Sequence, residues 1–144
     1  MNWIQAEVCG VPLDLGKIQS PVFIYASRED HIVPWPAAYA STQILKGPKK
    51  FTLGASGHIA GVINPPAKKK RSHWTFDPPR GTFPEDADAW FAASTEKPGS
   101  WWPEWTAWLA KHAGKKVKAK AAYGNAQFKP TEPAPGRYVQ VRAT

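Results

Sequence analysis

The stretch P-V-F-I-Y-A-S-R-E-D-H-I-V-P-W (Pro21 to Trp35), followed after a spacer by K-K-F-T-L-G-A-S-G-H (Lys49 to His58), decides the fold. Pro21 to Ala26 is a continuous apolar, β-branched and aromatic run bounded by a proline and by polar residues, the pattern of a strand buried on both faces. Pro36 suits the first turn of a helix. Pro36 to Leu45 carries Ala, Tyr and Ile at positions compatible with one packed face, closed by Gly47 and Pro48. Lys50 to Leu53 is a second, shorter strand. The unit reads strand, acid loop, helix, strand, histidine loop, and its class is α/β. Gly54, Ser56 and Gly57 form a loop able to present His58 beside Asp30 across the tops of adjacent strands, the edge where chemistry collects in an open α/β sheet.

An acid followed by a histidine matches the tail of the order nucleophile, acid, histidine used by α/β-hydrolases. The carboxylate of such a pair holds the imidazole in one tautomer and stabilises its cation, while the other ring nitrogen takes a proton from a nucleophile or a hydroxyl. Histidine suits this because its ordinary pKa lies near neutrality. From the residues alone a blander reading stays open, with Asp30 capping the next turn and His58 an ordinary loop histidine.

Four stretches carry a resemblance: S-R-E-D-H-I-V-P-W (Ser27 to Trp35), G-A-S-G-H-I-A-G-V-I-N-P-P (Gly54 to Pro66), G-S-W-W-P-E-W (Gly99 to Trp105) and E-P-A-P-G-R-Y-V (Glu132 to Val139). In this order they resemble the C-terminal part of poly(3-hydroxyalkanoate) synthases of the α/β-hydrolase superfamily, and the last two resemble the class I enzymes most closely. The resemblance implies the last strands and helices of an α/β-hydrolase sheet. It also implies an acyltransferase that polymerises (R)-3-hydroxyacyl-coenzyme A, releasing coenzyme A. Asp30 and His58 then correspond to the catalytic acid and histidine, with His58 deprotonating a cysteine and Asp30 either orienting His58 or helping to activate the hydroxyl. His31, next to the acid, is a candidate for the same pocket. Implied partners are the growing polyester chain, the remainder of the synthase, the granule surface and a second copy.

The family's cysteine sits in a glycine-x-cysteine-x-glycine box on a strand-to-helix turn. The lone cysteine here reads Glu7-Val8-Cys9-Gly10-Val11, lacking the box and the apolar strand before it. Cys9 is therefore read as a small, semi-buried hydrophobe. With the nucleophile absent, the chain is expected to be a C-terminal fragment, inactive alone, with an exposed sheet edge where preceding strands are missing.

At 144 residues and 42% hydrophobic, the chain has the size of one domain and can bury a core. No stretch has the length of a membrane span, and Met1 to Gly10 lacks the basic-then-apolar pattern of an export signal. One cysteine cannot close an internal disulfide, which fits a cytoplasmic setting. The formal charge of +8 is clustered at Lys68 to Arg71 and at Lys115, Lys116, Lys118 and Lys120. Such runs track phosphates or form a solvated face, and we read them as the latter. Neither run interleaves aromatic residues, and no nucleic-acid motif is present. The histidines and cysteine show no ligand spacing, so no metal or redox cofactor is implied.

Between the motifs, Ile59 to Ile63 is an apolar start to a short helix stopped by Asn64-Pro65-Pro66. His73 and Trp74 read as surface or packing, and Asp77 to Asp88 as a turn-rich connector. A helix begins at Pro84-Glu85-Asp86 and continues through Ala87 to Ala93. Ser100 is the expected N-cap of a helix to about Ala113, whose Trp101, Trp105, Trp108, Leu109 and His112 form one aromatic stripe against the sheet. From Gly114 to Thr144 lysine, alanine, glycine and proline dominate, predicting an extended tail after a catalytic part at 1–113. Two other classes share some of these features: an esterase or polyester depolymerase, and a non-catalytic basic binding module.

Overall fold

The structure is a computed structural model that describes residues 7–142. The export-signal reading of Met1 to Gly10 lies partly outside them. The chain divides into two units, Met1–Ala113 and Gly114–Thr144.

The first unit opens with a hairpin, β1 (Glu7–Val8) against β2 (Val11–Pro12). Its two-residue turn is Cys9-Gly10, both with positive φ (51° and 78°), the conformation that matches the twist of a tight hairpin. Cys9 is consequently exposed at a turn, which corrects its reading as a semi-buried hydrophobe.

Four strands form the main sheet: β3 (Val22–Ser27), β4 (Lys49–Gly54), β5 (Ser72–Thr75) and β6 (Thr95–Pro98), in that spatial order. The β3–β4 pair is parallel, in register from Val22 opposite Lys49 to Ser27 opposite Gly54. The other two pairs are antiparallel, so the architecture is α/β with a mixed sheet. Helices α1 (Trp35–Tyr39) and α2 (Ser41–Ile44) supply the crossover that a parallel pair requires. A single helix over Pro36 to Leu45 is not what forms. The Gln43 amide bonds the Ala40 carbonyl three residues back, tightening the turn so that Tyr39 and Thr42 both reach the interior.

The strand expected to be buried on both faces is an edge strand, with only Ala26 and Ser27 fully buried. Among the described residues it has a single strand neighbour. One face of β3, through Ile24 and Ala26, joins a core of Tyr39, Phe51, Leu53, Trp74, Phe83 and Trp90. Burying each aliphatic or Phe side chain of this set is worth about 1.5–3 kcal/mol. Helix α3 (Ala87–Ala93) delivers Trp90 and is capped by Asp86, whose carboxylate accepts the amides of Asp88 and Ala89.

On the opposite face, Phe23 and Tyr25 meet the aromatic stripe. Trp101 stacks on Tyr25 with ring centroids 4.2 Å apart, and Trp108 meets Phe23 edge-on at 5.6 Å. These rings belong to helix α4 (Trp102–Ala110) and its approach. Its N-cap is Trp101, one residue past the expected Ser100, whose Oγ accepts the Trp102 amide, and the helix ends short of Ala113.

Strand β5 makes His73 and Trp74 packing residues, the second of their two readings, and β6 forms where the sequence shows no strand pattern. His73 and Trp74 are buried because register places them opposite Gly54 and Leu53 of β4. In the second unit the described residues contain one short 3-10 turn, Tyr138–Gln140, and an ion pair between Glu132 and Arg137. Almost every residue of it is exposed.

Candidate active site

Because β3 and β4 run parallel and in register, their carboxyl ends finish together at Ser27 and Gly54, and the two following loops stand side by side. The Arg28 amide donates to the Gly54 carbonyl and the Glu29 amide to the Ser56 carbonyl, which joins the loops by backbone bonds before any side chain is considered. Asp30 and His58 meet there, with His58 Nδ1 and Asp30 Oδ2 2.7 Å apart.

Asp30 is 10% exposed and both its oxygens are occupied. Oδ1 accepts the amides of Ile32 and Val33, each at 2.9 Å, and Oδ2 faces the imidazole. Chiefly the Val33 amide, with His58 and the Ile32 amide, stabilises the ionised carboxyl against the opposing cost of desolvation. Its pKa is brought down to about 2. Asp30 thus caps its own turn and at the same time contacts the imidazole of His58.

An ionised carboxylate only accepts, so Nδ1 is the donor in this contact, and a neutral ring with that tautomer keeps its lone pair at Nε2. His58 is 45% exposed and Nε2 makes no hydrogen bond among the described residues. Ser56, two residues earlier, has φ of 78°, a left-handed conformation uncommon for a residue with a side chain. Backbone strain of this kind tends to gather where a loop must aim a functional group.

A hollow of about 440 Å³ opens beside the pair, lined by Ser27 and by apolar groups that include Val33, Ile59, Val62 and Ile63. Tyr25 and Ser27 share a hydrogen bond at 3.1 Å, and burial raises the Tyr25 phenol, keeping it protonated. His31 does not line this hollow but a second depression of about 380 Å³, which His58 and Ile59 also border. The apolar wall was missed from the sequence. Ile59, Val62 and Ile63 were visible as a helix-like run, yet they form a looser turn with bonds from Gly61 to Gly57 and from Ile63 to Ile59. Tyr25 lies within the apolar run and Ser27 at its end, and neither is marked by the sequence as facing a hollow.

Among the described residues no group of three or more His, Cys, Asp or Glu could hold a metal ion, and no helix is long and apolar enough to cross a membrane.

No protein-family model matches the chain. The chain is 62% identical over 136 residues to the poly(3-hydroxyalkanoate) polymerase subunit PhaC of Cupriavidus necator, covering 94% of this chain and 22% of that one. It is 44% identical over 140 residues to the poly(3-hydroxyalkanoate) polymerase of Methylorubrum extorquens, covering 96% and 22%. Against poly(3-hydroxyalkanoate) polymerase 2 of Ectopseudomonas oleovorans it is 40% identical over 136 residues, covering 94% and 24%. The chain thus spans less than a quarter of the length of these curated relatives, which are enzymes by name.

Proposed function

We propose, from the premise that this chain matches a stretch of the poly(3-hydroxyalkanoate) polymerases along nearly its whole length, that Asp30 and His58 are the acid and base of an acyl transfer. In this reading the surrounding sheet is the end of an α/β-hydrolase fold, and the cysteine nucleophile comes from outside the stretch. The substrate is a (R)-3-hydroxyacyl-coenzyme A. His58 Nε2 takes the thiol proton, and the thiolate attacks the thioester carbonyl. The bond to the coenzyme A sulfur breaks, and that sulfur leaves as the free thiol with the proton from His58. The 3-hydroxyl of a second acyl unit then attacks the new thioester, its proton passing to Nε2. The ester forms and the thiolate is regenerated.

The observation that carries this reading is the 2.7 Å contact between His58 Nδ1 and Asp30 Oδ2, which leaves Nε2 open. It also favours one role for Asp30. With both oxygens occupied, the carboxylate orients His58 and is not free to reach a hydroxyl. The apolar hollow beside the pair suits an aliphatic acyl chain. The polyester at a granule surface is the acceptor in this account, and His31 is a candidate for contact with the incoming thioester.

The test is thiol release from 3-hydroxybutyryl-coenzyme A by a polymerase carrying this stretch. Asp30→Asn and His58→Gln each lower the rate by on the order of 10³-fold or more. Release that survives both changes overturns the proposal.

A further inference from the structure

We infer that Trp101 and Trp102 are positioning residues for His58, clamping the loop that carries it through two indole N–H bonds. The inference rests on the reading of Asp30 and His58 as a working pair. From Gly57 to Asn64 the loop has a few bonds of its own, and two glycines, Gly57 and Gly61, lower its stiffness. Holding Nδ1 at 2.7 Å from Asp30 therefore requires restraint from elsewhere.

Two consecutive carbonyls of the loop receive that restraint. Trp101 Nε1 donates to the Gly61 carbonyl at 3.2 Å, and Trp102 Nε1 donates to the Val62 carbonyl at 2.9 Å. An indole offers one donor and no acceptor, so each ring is committed to a single carbonyl. Trp101 is 9% exposed and also stacks on Tyr25 of β3, the strand that leads to Asp30. One ring thereby ties the acid's strand to the histidine's loop. Gly61 allows the close approach this needs, because a Cβ there would overlap Ser27 Oγ.

The two tryptophans are held in turn. Gly99 has φ of 88°, its amide bonds the Arg71 carbonyl at 2.7 Å, and its carbonyl accepts from His73 Nδ1 at 3.2 Å. His73 is 4% exposed on β5, whose neighbour β4 runs into the His58 loop. Further along α4, Trp105 sits tilted against Trp101 and Trp108 meets Phe23 edge-on, and neither makes an indole hydrogen bond among the described residues. Packing would be served by any large ring, whereas the clamp requires the N–H.

The test is proton exchange measured by NMR on this chain, which needs no turnover. In the unaltered protein the Trp102 indole N–H exchanges at least tenfold more slowly than that of Trp105. In Trp102→Phe, which keeps a ring and removes the donor, the His58 Nδ1–H exchanges at least tenfold faster with the fold retained, while Trp105→Phe leaves it unchanged. Equal indole exchange at Trp102 and Trp105, or the same His58 response in both variants, overturns the inference. Thiol release that ignores Asp30 and His58 would sink the acyl-transfer reading and leave these exchange rates as they are.

Discussion

Both oxygens of Asp30 are engaged, Oδ1 by the amides of Ile32 and Val33 and Oδ2 by His58, so protonating the carboxyl weakens both sets of bonds together. Its folded pKa of about 2 lies below the ordinary carboxylate value of about 4. The stabilisation is thus complete above about pH 4 and is lost as pH falls toward about 2. His73 acts earlier on the same side, because burial depresses its pKa below the ordinary 6.5. An unfolded chain binds that proton more readily, and stability declines as pH drops below about 6.5. Urea midpoints measured against pH should therefore fall in two stages. Asp30→Asn shrinks the lower stage, to which Glu104 also contributes through its pairing with Lys97 and Lys50, and His73→Phe removes the upper one. The Asp30–His58 pairing could be anticipated, since an acid and a histidine followed two strands of a recognisable βαβ pattern. The burial of His73 could not, because nothing near it in the chain marks it as interior.

Elements were legible in proportion to how much of their apolar pattern is local. Val22 to Ser27 is a run rich in β-branched and aromatic residues, Lys49 to Gly54 holds the short Phe51-Thr52-Leu53 stretch between two lysines and a glycine, and Asp86 before Ala87–Ala93 is a cap that can be read directly. Strand β6, T-E-K-P, has no such pattern and exists only because Ser72–Thr75 offers a free edge at the matching register. The edge position of β3 agrees with the exposed sheet edge that the resemblance implies, although its apolar run by itself looks the same in a central strand. Phe51 joins these elements, fully buried on β4 and edge-on to both Tyr39 and Trp90. Phe51→Ala should cost about 3–5 kcal/mol in urea unfolding, and a loss below 1 kcal/mol would contradict the core assigned here.

At the scale of the molecule, charge is the uneven quantity. Seven of the 19 basic residues and one of the 11 acidic residues lie at 114–144, so the second unit carries +6 of the formal +8. Its lysines are exposed, in keeping with a solvated face. On that reading, changing Lys115, Lys116, Lys118 and Lys120 together to Ala leaves thiol release by a polymerase carrying this stretch within twofold. It also weakens salt-sensitive adsorption to DNA, the binding that cationic charge alone gives. A large loss of release would instead point to phosphate recognition by those lysines.

The central claim is that Asp30 fixes the protonation of the imidazole, and the ¹⁵N chemical shifts of His58 in this chain, recorded where the ring is neutral, test it most directly. The account predicts a proton on Nδ1 and a bare Nε2 in the unaltered protein, with that preference lost in Asp30→Asn. A proton resident on Nε2, or a ring whose tautomer ignores the loss of Asp30, would contradict it.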